Sequence, residues 1–157
     1  MIPFEIERAV VDLCHRYAQC LDDDRLEEWP EFFVEDGRYL IHPRENVAAG
    51  LDGYWLYFDN RKMLRDRIVS LRKANVYNIH QDRHLVSNIR VEQDGGGELR
   101  VRSNYLVIQS DVEGRSRVFS AGEYRDRVVM SGAHPLFKER VVIPDTFNVE
   151  GLVAVPL

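Results

Sequence analysis

Between residues 4 and 21 the apolar positions Val10, Leu13, Cys14, Tyr17, Ala18 and Leu21 recur at the three- and four-residue steps of one helix face. Pro3 stands at the start, and Glu5 and Glu7 lie in the first turn, where carboxylates complement the positive end of the helix dipole. Asp24 to Glu27 has the form of a capping box. It predicts a short second helix with Leu26, Trp29, Phe32 and Phe33 buried and Asp36-Gly37 as its stop. A strand follows over residues 38–42. Residues 43–58 read as irregular and carry Tyr54, Trp55, Leu56, Tyr57 and Phe58, a run that matches neither period. Asp59 or Asn60 caps a third helix reaching about Lys73, with Leu64, Ile68 and Leu71 inward and Arg72-Lys73 at its negative end.

Beyond Tyr77 the pattern changes to four β-rich runs, near 84–92, 98–110, 115–130 and 136–146. They are separated by Asp94-Gly95-Gly96-Gly97, residues 111–114 and Ser131-Gly132. Leu99, Val101, Tyr105 and Val107 share one face of a strand, while Arg100, Arg102 and Asn104 share the other. Gly122 falls inside the third run, which predicts a bulge or sharp bend there. Helices first and then a bent meander predict an α+β fold. It is a cone-shaped half-barrel of mainly antiparallel sheet, with the N-terminal helices packed on its concave face. No repeat or linker interrupts the chain, so residues 1–157 are expected to form a single domain.

Charge narrows the partners. Twenty-one Lys+Arg against 26 Asp+Glu leave a net charge of −5, so the average surface repels phosphate and anionic lipid, which argues against nucleic acid and membranes as partners. Cys14 and Cys20 lie six residues apart in one helix, on different faces, a spacing that suits neither a disulfide framework nor a metal cage. Met1 leads straight into a charged amphipathic segment, and no apolar run approaches the roughly 20 residues that span a bilayer. The expectation is a cytoplasmic protein.

His80 and His84 would have metal spacing on one helix, but the pattern splits them between a loop and a strand and supplies no third ligand. The paired Cys/His motifs of a Rieske centre are absent, and Gly95-Gly96-Gly97 is a hairpin turn with no helix after it to bind a nucleotide. Glu123, Asp126, Tyr39, Tyr124 and His42 could line the mouth of the cone, where a carboxylate beside a tyrosine abstracts a proton next to a carbonyl. Beside Arg125, Arg127 and Arg140, such carboxylates more often form cross-strand ion pairs on a solvated face or an interface. Arg61, Lys62, Arg65, Arg67, Arg72 and Lys73 make the third helix basic, which reads as a solvated face. The aromatic run 54–58 and the apolar tail 152–157 read either as contact surfaces or as cover for the chain's own core.

Trp29-Pro30-Glu31-Phe32-Phe33 leads into Asp36 and Tyr39. Arg83-His84 with Asn88, Gly122-Glu123-Tyr124-Arg125-Asp126, and Arg140 before Asp145 follow in order. In this order and spacing the chain resembles the small (β) subunits of aromatic-ring-hydroxylating dioxygenases, nearest to those of terephthalate-, salicylate- and aminobenzoate-type enzymes. The resemblance runs from the first helix to Val155-Pro156-Leu157 and departs most over residues 43–58. It implies a cone similar to nuclear transport factor 2 and scytalone dehydratase, assembled with large α subunits and other β subunits as α3β3. The α subunit would carry the Rieske [2Fe-2S] cluster and the mononuclear non-haem iron, and a separate reductase would deliver electrons from NAD(P)H.

No cofactor and no catalytic residue is then expected in this chain. Trp29, Arg83, His84, Asn88, Gly122, Tyr124, Asp126 and Arg140 carry over as residues of the family's fold pattern, and Tyr54, Trp55, Tyr57 and Phe58 stand as candidates for subunit contact. The expected function is a structural β subunit of an oxygenase acting on an aromatic acid. The alternative from the residues alone is a stand-alone lyase or isomerase with a Tyr, His and carboxylate pocket, which requires a deep cavity.

Overall fold

The structure is a computed structural model that describes residues 1–73, 79–146 and 153–157. Helix α1 (Phe4–Asp22) buries the predicted stripe, with Cys20 added to it, and the Pro3 carbonyl accepts the N–H groups of Ile6 and Glu7 at its start. The short second helix forms, but without the expected cap and with an earlier end. Leu26–Phe32 forms a 3-10 helix without a side-chain cap, and Phe33 already belongs to strand β1 (Phe33–Ile41). Pro30 inside it lacks the N–H that a continuing α-helix would use. Asp24 adopts a left-handed φ of 56° and gives its carboxylate to Arg72. Asp36-Gly37 therefore lies within the strand, where the register with a neighbour shifts between Phe33 and Arg38.

Residues 43–58 are also more regular than their pattern suggests. They contain helix α2 (Arg44–Ala49), opened by Pro43 and closed by Gly50 in the left-handed region, and strand β2 (Leu56–Phe58). Helix α3 (Arg61–Lys73) agrees with expectation: Leu64, Ile68 and Leu71 are buried, and the Asn60 side chain accepts the Met63 N–H as a cap. Strands β3 (His80–Gln93), β4 (Leu99–Asp111), β5 (Ser116–Ser131) and β6 (His134–Pro144) are the four predicted runs, joined as consecutive hairpins.

One six-stranded sheet runs in the order β2-β1-β6-β5-β4-β3, with β1 parallel to β6 and every other pair antiparallel. Extra residues bend it. In β3, Asn88 and Ile89 intervene between the pairs Ser87↔Asn104 and Arg90↔Arg102, and Asn88 takes a φ of 55° that asparagine accepts more readily than most residues. Further register shifts at Phe119 in β5 and Lys138 in β6 curl the same face inward. Helix α1 packs across β3 and β6, and α3 across β1, on that face.

Gly122 plays a different part from the predicted bulge, because the ladders on both sides of it keep register. A Cβ there would lie 2.1 Å from the Ile143 carbonyl oxygen, so the missing side chain lets two backbones close together. Gly122→Ala is expected to destabilise the fold by about 1–3 kcal/mol through overpacking. Gly95→Ala, with nothing within 4 Å of the added Cβ, should change stability by less than about 0.5 kcal/mol. Urea denaturation of both variants checks the contrast.

Candidate functional site

Alternation along β5 and β6 turns Tyr124, Asp126, Val128, Phe137, Arg140 and Val142 into the cone. Asp126 and Arg140 are register partners, both fully buried, and the guanidinium grips the carboxylate with two bonds of 3.0 and 2.8 Å. Its Cζ lies 4.2, 3.9 and 4.3 Å from the ring centroids of Tyr17, Tyr124 and Phe137. Burial works against the charge on Arg140, but Asp126 overcomes it and holds the guanidinium pKa well above its ordinary value. A bidentate fork faced by aromatic rings replaces part of the lost hydration shell, and among the described residues Nη1 is left to the rings without a hydrogen-bond partner.

Among the described residues, aromatic side chains pack around the pair. Tyr124 stacks on Tyr105, whose hydroxyl meets Ser120 at 2.9 Å, while Trp29 sets its edge against Phe33 and Tyr39. Burial pushes the Cys14 thiol up to about 11 and the Tyr17 phenol up to about 12, so both stay neutral at pH 7.

Residues 153–157 close the mouth. The Tyr17 hydroxyl donates to the Leu157 carbonyl at 2.9 Å, and the Tyr39 hydroxyl donates to the same oxygen at 3.2 Å while accepting the Leu157 N–H at 3.0 Å. The His84 ring spans two elements, with Nδ1 2.6 Å from Asp22 and Nε2 3.2 Å from the Pro156 carbonyl. The His84 N–H also donates to the Asp22 carboxylate, tying the end of α1 to β3. Arg67 donates to the carbonyls of Val153 and Ala154. Of the predicted apolar tail, Leu152 lies outside the described residues; Ala154 and Leu157 are buried in the core.

The predicted catalytic group does not assemble. Tyr39, Tyr124 and Asp126 face the interior, but Glu123 lies on the opposite face of β5. There burial opposes its ionisation, yet hydrogen bonds from Arg102 and Arg125 prevail and hold the carboxyl below its ordinary range. His42 is engaged elsewhere, with the Leu51 carbonyl at 2.9 Å and the Tyr54 ring against it. The ion-pair reading of these carboxylates is the one the geometry takes, but the Asp126–Arg140 pair lies in the interior and not on a solvated face.

His80 and His84 are not split between loop and strand, since both belong to β3. His84 is nevertheless committed to Asp22 and Pro156, and Cys20 donates to the Arg25 carbonyl. Among the described residues no three His, Cys, Asp or Glu side chains converge, so the donor set here does not fit an iron centre.

Two surfaces also differ from their patterns. The basic face of α3 is not merely solvated: Arg61 donates to the Phe33 carbonyl and Glu35, Arg65 to Glu31, and Arg72 to Asp24 and Glu27, fastening α3 to the 3-10 helix, the turn before it and β1. The aromatic run divides between core and solvent, with Leu56 also turned to the core. Trp55 and Phe58 pack against the core, Phe58 stacking on Tyr39, whereas Tyr54 and Tyr57 remain 37% and 41% exposed. Of the residues carried by the resemblance, Trp29, His84, Tyr124, Asp126 and Arg140 are buried, Asn88 and Gly122 shape the sheet, and Arg83 is exposed on β3. The roles of Tyr17, Asp22 and Arg67 in holding the closing segment were missed, because nothing local marks a contact up to 140 residues away.

The sequence matches the family described as ring hydroxylating beta subunit over residues 16–149. The chain belongs to that family. This beta subunit is 44% identical over 145 residues to the anthranilate 1,2-dioxygenase small subunit of Burkholderia cepacia, covering 92% of this chain and 90% of the relative. It is 31% identical to a beta subunit of the terminal oxygenase component of terephthalate 1,2-dioxygenase from Comamonas sp, covering 90% and 92%. A crystal structure named for the beta subunit of an aromatic-ring-hydroxylating dioxygenase from Novosphingobium aromaticivorans superposes with a TM-score of 0.87, at 40% identity and 96% coverage of both chains. The beta subunit has the nuclear transport factor 2-like cone that its resemblance implied.

Arg140→Met leaves the Asp126 carboxylate buried and unpaired, and is expected to cost about 3–5 kcal/mol in urea denaturation. The double variant Arg140→Met/Asp126→Leu removes both charges and should recover most of that loss. A double variant no more stable than the single one would mean that the aromatic contacts, and not the charge, dominate.

Proposed function

We propose that this beta subunit is a non-catalytic, structural component of a multicomponent ring hydroxylase acting on an aromatic acid. Its role is to support a large oxygenase subunit that carries the Rieske cluster and the mononuclear iron. The observation that carries the reading is how the described residues use the interior of the cone: the Arg140–Asp126 pair and its rings are buried there, and Tyr17 and Tyr39 bond the Leu157 backbone. A lyase of this fold needs that space for its substrate. The names of the relatives, anthranilate and terephthalate dioxygenases, support an aromatic carboxylate as the substrate of the assembled enzyme.

The assembly proposed is α3β3 in the cytoplasm, with electrons reaching the large subunit from NAD(P)H through a reductase. Among the described residues no helix is long and apolar enough to cross a membrane, which accords with that setting. Trp29, His84, Asn88, Gly122, Tyr124, Asp126 and Arg140 serve the fold in this reading, and no residue touches substrate. Arg83 is assigned to the family pattern alone. Within the aromatic run, the half-buried Trp55 and Phe58 position Tyr54 and Tyr57, which make the subunit contact.

Coexpression with the cognate large subunit tests this. The two chains should elute as one complex in equimolar amounts, all iron should follow the large subunit, and hydroxylation of an aromatic acid should require both. The isolated beta subunit should be colourless and inactive. Stoichiometric iron in the lone chain, or full turnover by the large subunit without it, would overturn the proposal.

A further inference from the structure

Residues 153–157 join no helix and no strand, so the ladder bonds that hold the sheet do not hold them. Side chains do so instead, and they come from four elements. Tyr17 of α1 donates to the Leu157 carbonyl at 2.9 Å, and Tyr39 of β1 serves both backbone groups of Leu157, at 3.2 Å to the carbonyl and 3.0 Å from the N–H. His84 of β3 meets the Pro156 carbonyl at 3.2 Å, and Arg67 of α3 donates to the Val153 carbonyl at 2.8 Å. The apolar anchorage is small: Ala154, Pro156 and Leu157 are buried, whereas Val153 and Val155 are only partly covered.

These ties differ in kind from those of the sheet. When the segment lifts, water takes over the bonds of its carbonyls and of the tyrosine hydroxyls, so the loss is chiefly the burial of a few modest side chains. The closed state also carries a cost of its own. Among the described residues, Trp29 Nε1 and the Tyr124 hydroxyl are buried without a hydrogen-bond partner. Both lie one ring away from the segment: the Trp29 ring is 5.1 Å from that of Tyr39, and the Tyr124 ring is 6.4 Å from that of Tyr17. Water entering beneath a lifted segment hydrates groups that the closed interior leaves unsatisfied, which offsets part of the lost burial. A region held by few apolar contacts and by replaceable bonds opens at a lower free energy than the sheet around it.

We propose that residues 153–157 are a strap that opens as a unit while the helices and the sheet stay folded, and that its opening admits water to the interior of the cone. Arg67 and Tyr39 set how often the strap opens, and the sheet ladders do not. The device belongs to the chain by itself and is independent of the assembly proposed above.

Native-state hydrogen exchange of the full chain, followed by NMR at increasing low concentrations of urea, tests this. The Leu157 amide should be protected, yet exchange about 100-fold faster than amides of β5 and β6. Its rate should be nearly independent of urea, because the opening exposes little surface. The Trp29 indole N–H should follow Leu157. Arg67 is only partly buried, so Arg67→Met frees a strap carbonyl without opening the core. It should raise the Leu157 rate by about fivefold and leave the β5 and β6 amides unchanged. Tyr39→Phe, which takes the partner from both backbone groups of Leu157, should raise that rate further relative to the sheet. Equal rates and equal urea slopes for Leu157 and the sheet would show that the segment opens only when the cone unfolds, and the proposal would fall. A Leu157 amide without protection, or a Trp29 indole that exchanges only with the sheet, would overturn it as well. An Arg67→Met variant that speeds Leu157 and the sheet alike would assign Arg67 to global stability and remove the strap as a separate unit.

Discussion

Arg140 and Asp126 face each other across β5 and β6 with no solvent to share their charge, so each tolerates burial only because the other is in register. Sliding either strand by one residue would turn one of them outward and leave its partner alone in the interior. The pair therefore fixes the β5–β6 register more strictly than the apolar positions beside it. Tyr17 from α1, Tyr124 from β5 and Phe137 from β6 all present rings to the same guanidinium. Helix position, strand register and core filling are thus tied to one charge.

Legibility in the sequence followed the range of the interaction responsible. Helices α1 and α3 were readable because their stripes and end residues act within a few positions. The four long strands were readable because turn residues such as Asp94 and Asp111 bond locally to backbone N–H groups. The short second helix was readable but its end at Phe32 was not, because Leu26, Trp29, Phe32 and Phe33 suit a longer helix as well, and only Pro30 and the pull of β1 decide. The α3 arginines looked solvated because their acids lie up to 48 residues earlier. The candidate catalytic group failed for a related reason: side chains adjacent in sequence on a strand, Glu123 and Tyr124, are on opposite faces once the sheet forms.

Cones of this architecture have two surfaces on which chemistry can be written, and here they are used differently. Inside, many polar groups serve each other, Asp126 with Arg140, Tyr105 with Ser120, and Tyr17 and Tyr39 with Leu157, while among the described residues Trp29 Nε1 and the Tyr124 hydroxyl are buried without a hydrogen-bond partner. Outside, Glu123 and Glu98 gather the arginines of the sheet face into ion pairs, and the rings of Tyr54 and Tyr57 stay partly in water.

The pairing of β1 with β6 has a consequence for biosynthesis. Tyr39 emerges from the ribosome 118 residues before the Leu157 backbone that it will hold. β1 must likewise wait for β6, the last strand of the sheet, to find its parallel neighbour. Until then the nascent chain presents Trp29, Phe33 and Tyr39 with their covering strand missing. Such late, non-local closure slows folding and prolongs the time in which a chaperone or an aggregating neighbour can reach these rings.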